Sequence, residues 1–365
     1  MQSRLLTTLN AQARTTKDPV VWARAVCRAA SHFARHGRTN EALNSIGIVR
    51  KQFGPELQFE VASWLMLAEG VLHYFKAEVK QAYDRIRRAY GLAVALGTES
   101  ALPSCAAWMA HIEFHDCTYD RMAGHLEEAL TRARPDDHQA LARASLVMAN
   151  AYQLAGDYGL ARPWYERARQ HCTAEGDEAT LSAMLYNVAI FRLANVRLAD
   201  AFGEVDEKEL HRAGMETESS VNFDFAIGTA GLDFLSELLR SQMLTVQERF
   251  SEALEMSALI DLDRLPDHLK APVFVDRAWN LSQLGRHSEA WLEAEIALDL
   301  LPKVQEDDDR AYVCARLAEV AKSCGKPDSA VEMMARAGES LRLHRTFQSD
   351  LLSKIQAINW QTSKG

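Results

Sequence analysis

The stretch that decides the fold is MANAYQLAGDYGLARPWYERA, residues 148–168. Its first half places three side chains on one face of a helix: Met148, Ala149 and Tyr152. The Gly156-Asp157 pair that follows is typical of a turn. Beyond the turn, a second helical face carries Ala161, Tyr165 and Ala168. The stretch therefore predicts two helices joined by a tight connection.

The same pattern recurs along the chain at an interval near 40 residues. Residues in the place of Ala161 follow one another at spacings of 40, 40, 39, 40, 52, 37 and 40. These second-helix positions are Ala42, Ala82, Met122, Ala161, Ala201, Ala253, Ala290 and Ala330. Twelve residues before each lies a small first-helix residue: Ala30, Gly70, Ala110, Ala149, Ala189, Ser241, Ala278 and Ala318.

Small residues at fixed places in each repeat have a packing explanation. Two antiparallel helices approach closely where the facing side chains are small, and alanine allows this without glycine's helix penalty. Glycines in four of the interhelix turns favour a left-handed residue at the helix end: Gly37, Gly156, Gly285 and Gly325. The pattern predicts stacked helical hairpins that bury one another's apolar faces.

These repeats resemble the tetratricopeptide repeat, a helix-turn-helix unit whose usual period is 34 residues. The resemblance covers about residues 20–342 and implies an all-α, right-handed solenoid of about eight repeats. The expected repeats lie near 20–57, 58–99, 100–136, 137–176, 177–216, 217–264, 265–304 and 305–342. An apolar stripe predicts a capping helix within residues 343–365, from Leu351, Leu352, Ile355 and Ile358.

One irregularity interrupts the period. The 52-residue spacing adds about 12 residues within 203–231, and residues 214–220, GMETESS, are predicted to form a polar loop. Such an insertion either carries function or is a tolerated surface addition. Its role is left open by the sequence.

Charge and cysteine content narrow the class of protein. The net charge of −9 disfavours nucleic-acid binding, although residues 1–51 hold nine basic against two acidic residues. Six scattered cysteines without a CxxC pair favour thiols in a reducing cytoplasm. No stretch approaches the ~20 apolar residues that a membrane span needs. We therefore expect a cytoplasmic protein with no membrane partner.

In the family that the repeats resemble, first helices line a concave groove that binds a peptide or protein segment. The side chains expected on that surface are Arg24, Arg28, Arg35, Trp64, Tyr74, Phe75, His111, Phe114, His115, Arg143, Asn150, Gln153, Tyr186 and Asn187. Guanidinium groups beside aromatic rings suit an extended or helical peptide segment, including an acidic one. The alternative is that the aromatic residues are core and that the arginines form a solvated face.

The pair His111 and His115 is the strongest candidate for a metal site, because residues four apart project from one helix face. However, the order of residues is not HExxH, so the two histidines are interpreted first as packed or groove residues. No phosphate-binding loop and no nucleophile motif occurs in the sequence.

The sequence therefore predicts a non-enzymatic scaffold that uses no cofactor and binds a protein segment. One alternative is a ligand-sensing regulatory protein of the kind that carries such repeats in bacteria. A metal-dependent enzyme built on the two histidines is a third possibility. A homodimer is compatible with each of these predictions.

Overall fold

The computed structural model describes residues 3–54, 58–227 and 233–358. Within these ranges there are seventeen α-helices, one short 3-10 turn and no strand, which confirms the all-α prediction. The helices are α1 (Arg4–Thr15), α2 (Pro19–Arg35), α3 (Thr39–Phe53), α4 (Phe59–Phe75), α5 (Val79–Ala95), α6 (Leu102–His115), α7 (Tyr119–Arg132), α8 (His138–Leu154), α9 (Tyr158–Glu175), α10 (Glu178–Ala201), α11 (Glu207–Ile227), α12 (Asp233–Val246), α13 (Phe250–Ser257), α14 (Asp267–Gln283), α15 (His287–Leu300), α16 (Asp307–Ser323) and α17 (Pro327–Gln356).

Consecutive helices pack against each other in pairs. Such pairs are α2 with α3, α4 with α5, α6 with α7, α8 with α9, α12 with α13 and α14 with α15. First helices of neighbouring pairs also meet, as α2 does with α4, α6 with α8 and α14 with α16. The architecture is therefore helical and repeat-like.

The turn inside each pair places a left-handed residue at the same register. In seven turns this residue lies five positions before the second-helix position of the repeat: Gly37, Ala77, Cys117, Gly156, Glu248, Gly285 and Gly325. The glycines predicted from the sequence are confirmed in this conformation. In three turns a residue with a side chain adopts it, although the left-handed region is unfavourable for such residues.

The small residues lie where two helices of a pair come together. Ala42, Ala82 and Ala290 are fully buried. At Gly70 of α4, an added Cβ would overlap the side chain of Ile86 and lie 3.2 Å from the backbone oxygen of Ala82 on α5. The absence of a side chain at Gly70 therefore sets the approach of α4 to α5.

The extra residues near 203–231 do not form the predicted polar loop. Residues 214–220 belong to α11, and Ala201 is the last residue of α10 instead of a second-helix residue. This part of α11 packs against α10: Ala213 joins a buried cluster with Leu193, and Arg192 contacts both Glu209 and Glu216, two turns apart on one face of α11. The longer period thus comes from two lengthened helices.

The predicted separate C-terminal cap is also different in the structure. Residues 343–356 continue α17 without a break. Leu351, Ile355 and Ile358 are buried, as the apolar stripe predicts. Lys354 Nζ lies 2.8 Å from Asp120 Oδ1 of α7. Residues 359–365 of the predicted cap lie outside the described residues.

Packing divides the chain into two compact units. The first comprises Met1–Met184, Ile227–Gly231 and Asp350–Gly365, and the second comprises Leu185–Ala226 and Leu232–Ser349. A large apolar core of the first unit contains side chains from each helix from α2 through α6. That of the second contains side chains from each helix from α14 through α17. The single continuous array stays a prediction.

Among the described helices, α10 alone has the length and apolar composition that a membrane span requires. Length and composition are weak evidence for a membrane span, because a core helix of a soluble protein meets the same criterion. The α10 helix also carries Arg197, which forms a buried ion pair with Asp276 of α14.

Candidate binding surface on the first helices

Twelve of the predicted site residues lie on α2, α4, α6 and α8, the first helices of four successive pairs in the first unit. The remaining two, Tyr186 and Asn187, lie on α10 in the second unit and are half-buried. Burial raises the pKa of Tyr186. The contacts of the twelve residues separate them into three groups.

The first group is an aromatic cluster that joins α4 to α6. The ring of Tyr74 lies 5.1 Å from that of His111 and 5.8 Å from that of Trp108, with edge-to-face geometry. Phe75 lies 6.5 Å from Trp108, and His115 lies 4.7 Å from His111. Edge-to-face contacts of this kind stabilise a cluster beyond the area that it buries.

The guanidinium of Arg143 on α8 covers this cluster. Its Cζ lies 4.3 Å from the centre of the Trp108 ring, and the residue is only 6% exposed. Within the described residues, no carboxylate pairs with Arg143. Burial, and then the nearby Arg35, lower the pKa of Arg143 to about 10, so the side chain keeps its charge at neutral pH. The carboxylate of Asp177, which pairs with Arg35, favours the charged form of Arg143 but forms no ion pair with it. A buried cation without a directly paired counter-ion is unusual.

The two histidines of the cluster are neutral at neutral pH. Burial lowers the pKa of His111 far below its usual value, and Arg143 adds to the effect. The same two causes lower the pKa of His115 to about 4, although His115 reaches the surface. The Nδ1 atom of His111 is buried and has no hydrogen-bond partner among the described residues. The cluster therefore offers both a cation and an unused ring nitrogen.

The second group is the arginines of α2. Two of them form ion pairs with residues at the end of α9 and just beyond it. Arg28 pairs with Glu175 at the end of α9. Arg35 Nη1 lies 2.6 Å from Asp177 Oδ2 and also donates to the Thr180 hydroxyl. Their charges are therefore compensated within the unit.

Arg24 is different from the other two arginines of α2. It is half-buried, and it forms no ion pair in the part of the chain that the structure describes.

The third group lies in the core. Trp64 is 3% exposed and donates from Nε1 to Ser100 Oγ over 3.3 Å. Phe114 is also buried. Substitution of Trp64 would therefore change the packing of the core as well as any binding of a partner.

Asn150 and Gln153 are buried as well, and the side-chain oxygens of both lie within hydrogen-bond distance of the Tyr165 hydroxyl, whose one hydrogen they share. These contacts join α8 to α9. The two amides therefore lie in the interior and not on the open surface that the sequence predicted.

Sequence reasoning missed Trp108. It lies three residues before His111, so the two share a helix face, but Trp108 is not among the residues predicted for the groove. A search for aromatic residues one turn from each groove position would have identified it.

No three His, Cys, Asp or Glu side chains within 3–54, 58–227 and 233–358 come together as ligands for a metal ion. His111 and His115 are thus a pair without a third protein ligand.

No protein-family model matches this chain, and no curated protein matches it in sequence.

Proposed function

We propose that this chain is a non-enzymatic scaffold of the tetratricopeptide type, with about eight helix pairs stacked as a right-handed solenoid. Three observations support the proposal: the packing of consecutive helices in pairs, the repeated left-handed turn residue and the buried small residues. Repeats of this kind commonly present extended surfaces to a partner. All six cysteines are free, which supports a cytoplasmic location.

The partner in this proposal is an acidic protein segment, and the observation that carries it is Arg143. Its guanidinium is desolvated and stacked on Trp108, and no carboxylate of the described residues forms an ion pair with it; Asp177, which pairs with Arg35, favours its charged form without pairing with it. An incoming carboxylate supplies the missing counter-ion and accepts charge-assisted hydrogen bonds, which contribute roughly 1.5–3 kcal/mol each.

The residues around Arg143 define how the segment approaches. Tyr74 and His115 retain solvent access beside the guanidinium and form the open edge of the cluster. Both present aromatic surface, so they suit an apolar side chain next to the bound carboxylate. Arg24 is a second cation on a first helix of the same unit.

The test is fluorescence anisotropy of a labelled peptide of alternating glutamate and leucine, titrated with the full chain. We expect Arg143→Met to weaken binding at least about tenfold, because the charge-assisted contact is lost while the stem keeps most of its packing. The matched control is Arg162→Met on α9, whose side chain is 81% exposed.

Circular dichroism of both variants distinguishes lost binding from lost structure. The proposal is contradicted if Arg143→Met keeps its helicity and also binds the acidic peptide with wild-type affinity. Equal binding of a lysine-leucine peptide of the same length would contradict the assignment of an acidic partner.

A second candidate function, a sensor of a small carboxylate, is favoured by the depth of Arg143. A residue with 6% exposure has room for few ligand atoms, which suits a single carboxylate group. Thermal-shift measurements with acetate, succinate and glutamate separate the two candidates. A small carboxylate that stabilises wild type but not Arg143→Met supports the sensor.

A further inference from the structure

A wide groove lies in the second unit, between α11 and α13. Its volume is about 1350 Å³, and α12 forms its floor. The two helices differ in length: α13 has 8 residues and α11 has 21, so at 1.5 Å per residue α13 is less than half as long as α11. The lengthened α11, which interrupts the repeat period, lines this groove with residues between Glu207 and Ser219.

The lining of this groove is apolar and rich in methionine. Its apolar side chains are Leu210, Met215, Met243, Leu244, Met256 and Leu259. Met215 is 53% exposed and Leu259 is 67% exposed. Methionine adapts its shape to a bound surface, and contiguous exposed apolar side chains mark interaction sites.

The rim of the groove is acidic. Glu207, Glu218, Glu252 and Glu255 line it, against Arg240 and Arg249. Arg249 is already paired with Glu252, with 2.8 Å between its Nε and Oε1. The other three glutamates form no ion pair with any residue that the structure describes. The groove therefore has uncompensated negative charge beside apolar surface.

We infer that this groove binds an amphipathic helix with basic flanks, supplied by another protein. A channel between two helices accepts a third helix, whose apolar residues at i, i+3, i+4 and i+7 pack into it. Lysine or arginine on the flanks then meets Glu207, Glu218 and Glu255. This inference is independent of the proposed acidic partner, because it concerns another unit and the opposite charge.

The chain's own basic amphipathic helix, α1, is not the occupant. Leu5, Leu6 and Leu9 of α1 are buried against Ala25 and Ala29 of α2. Its apolar face is therefore already used, which favours a different protein as the source of the helix.

The test is fluorescence anisotropy of a labelled peptide in which leucines and lysines follow helical spacing. A scrambled peptide of the same composition and a leucine-glutamate helix serve as comparison probes. We expect the full chain to bind the basic helix at least about tenfold more tightly than either comparison probe, because both shape and charge must match.

Two groove variants locate the site. Glu218→Lys with Glu255→Lys is expected to weaken binding at least about tenfold, and Met215→Ser with Leu259→Ser to weaken it similarly. The matched control is Glu99→Lys with Glu332→Lys, which makes the same charge change at exposed positions outside the groove.

Equal affinity for the scrambled peptide, or equal losses in the control and the groove variants, would overturn the inference. Sedimentation of the peptide-free chain tests a second copy as the occupant. A dimer that dissociates in Met215→Ser with Leu259→Ser would likewise overturn the assignment of a different protein.

Discussion

At the scale of single residues, two buried arginines have opposite roles. Arg197 of α10 donates to both oxygens of Asp276 at 2.9 and 2.8 Å, and the Tyr312 hydroxyl donates to the same carboxylate at 2.6 Å. Arg143 is equally buried, but no carboxylate among the described side chains forms an ion pair with it. The first arginine belongs to a network that holds α10, α14 and α16, and the second is the one that the proposed function assigns to a partner.

This contrast predicts different responses of stability. Asp276→Ala removes the counter-ion of Arg197 and should lower the free energy of unfolding by roughly 3–5 kcal/mol. The combined change Arg197→Met with Asp276→Leu should lower it by less, because no buried charge remains. Urea denaturation followed by circular dichroism measures both. A single variant that is no less stable than the double variant would contradict the reading of the network.

At the scale of elements, packing depends on where a side chain is absent. The α4 and α5 helices meet at Gly70, which lies against Ile86. At Gly91 on the same α5, by contrast, an added Cβ would lie in open space. One substitution, glycine to alanine, therefore has opposite meanings at the two positions.

Gly70→Ala should destabilise the protein by roughly 1–3 kcal/mol, because the methyl group forces α4 and α5 apart. Gly91→Ala should stabilise it by up to about 1 kcal/mol, because alanine is the better helix former and meets nothing. Thermal unfolding of the two variants beside wild type gives the comparison. The packing explanation is wrong if both changes stabilise the protein.

At the scale of the whole molecule, the two units differ in their histidines. Burial lowers the pKa of five described histidines in the first unit, as far as about 3 for His32 and about 4 for His171. The other three are His36, His111 and His115. In the described part of the second unit, His268 is the one histidine whose pKa is lowered, also by burial.

Acid should therefore weaken the first unit before the second. These histidines are neutral in the folded state and take up protons near pH 6.5 when unfolded, so their contribution to stability is full above pH 6.5 and is lost as pH falls toward 4. For buried His32 the loss is on the order of 1 kcal/mol per pH unit.

Hydrogen exchange at pH 7.5 and 5.5, corrected for the intrinsic rate, reports each unit separately. Protection should fall more in α2, α6 and α9 than in α14 and α16. A uniform loss would contradict the assignment of the effect to the histidines.

The sequence by itself determined the helical class, the pairing of helices and the turn positions, because these follow from local spacing. Small residues at a fixed register and helix-ending glycines act within about 20 residues of one another. The same local reasoning failed at residues 214–220, which lie in a helix that packs against α10 and whose Glu209 and Glu216 contact Arg192.

Tertiary structure alone decided which first-helix residues are open. Arg28 is compensated by Glu175, which is 147 residues away, and Trp64 is hidden with Ser100, which is 36 residues away. Arg143 lies over Trp108 of another helix pair. Burial and charge compensation depend on groups that only folding brings together. A helical pattern therefore cannot distinguish an arginine that is ion-paired in the folded chain from one that is not.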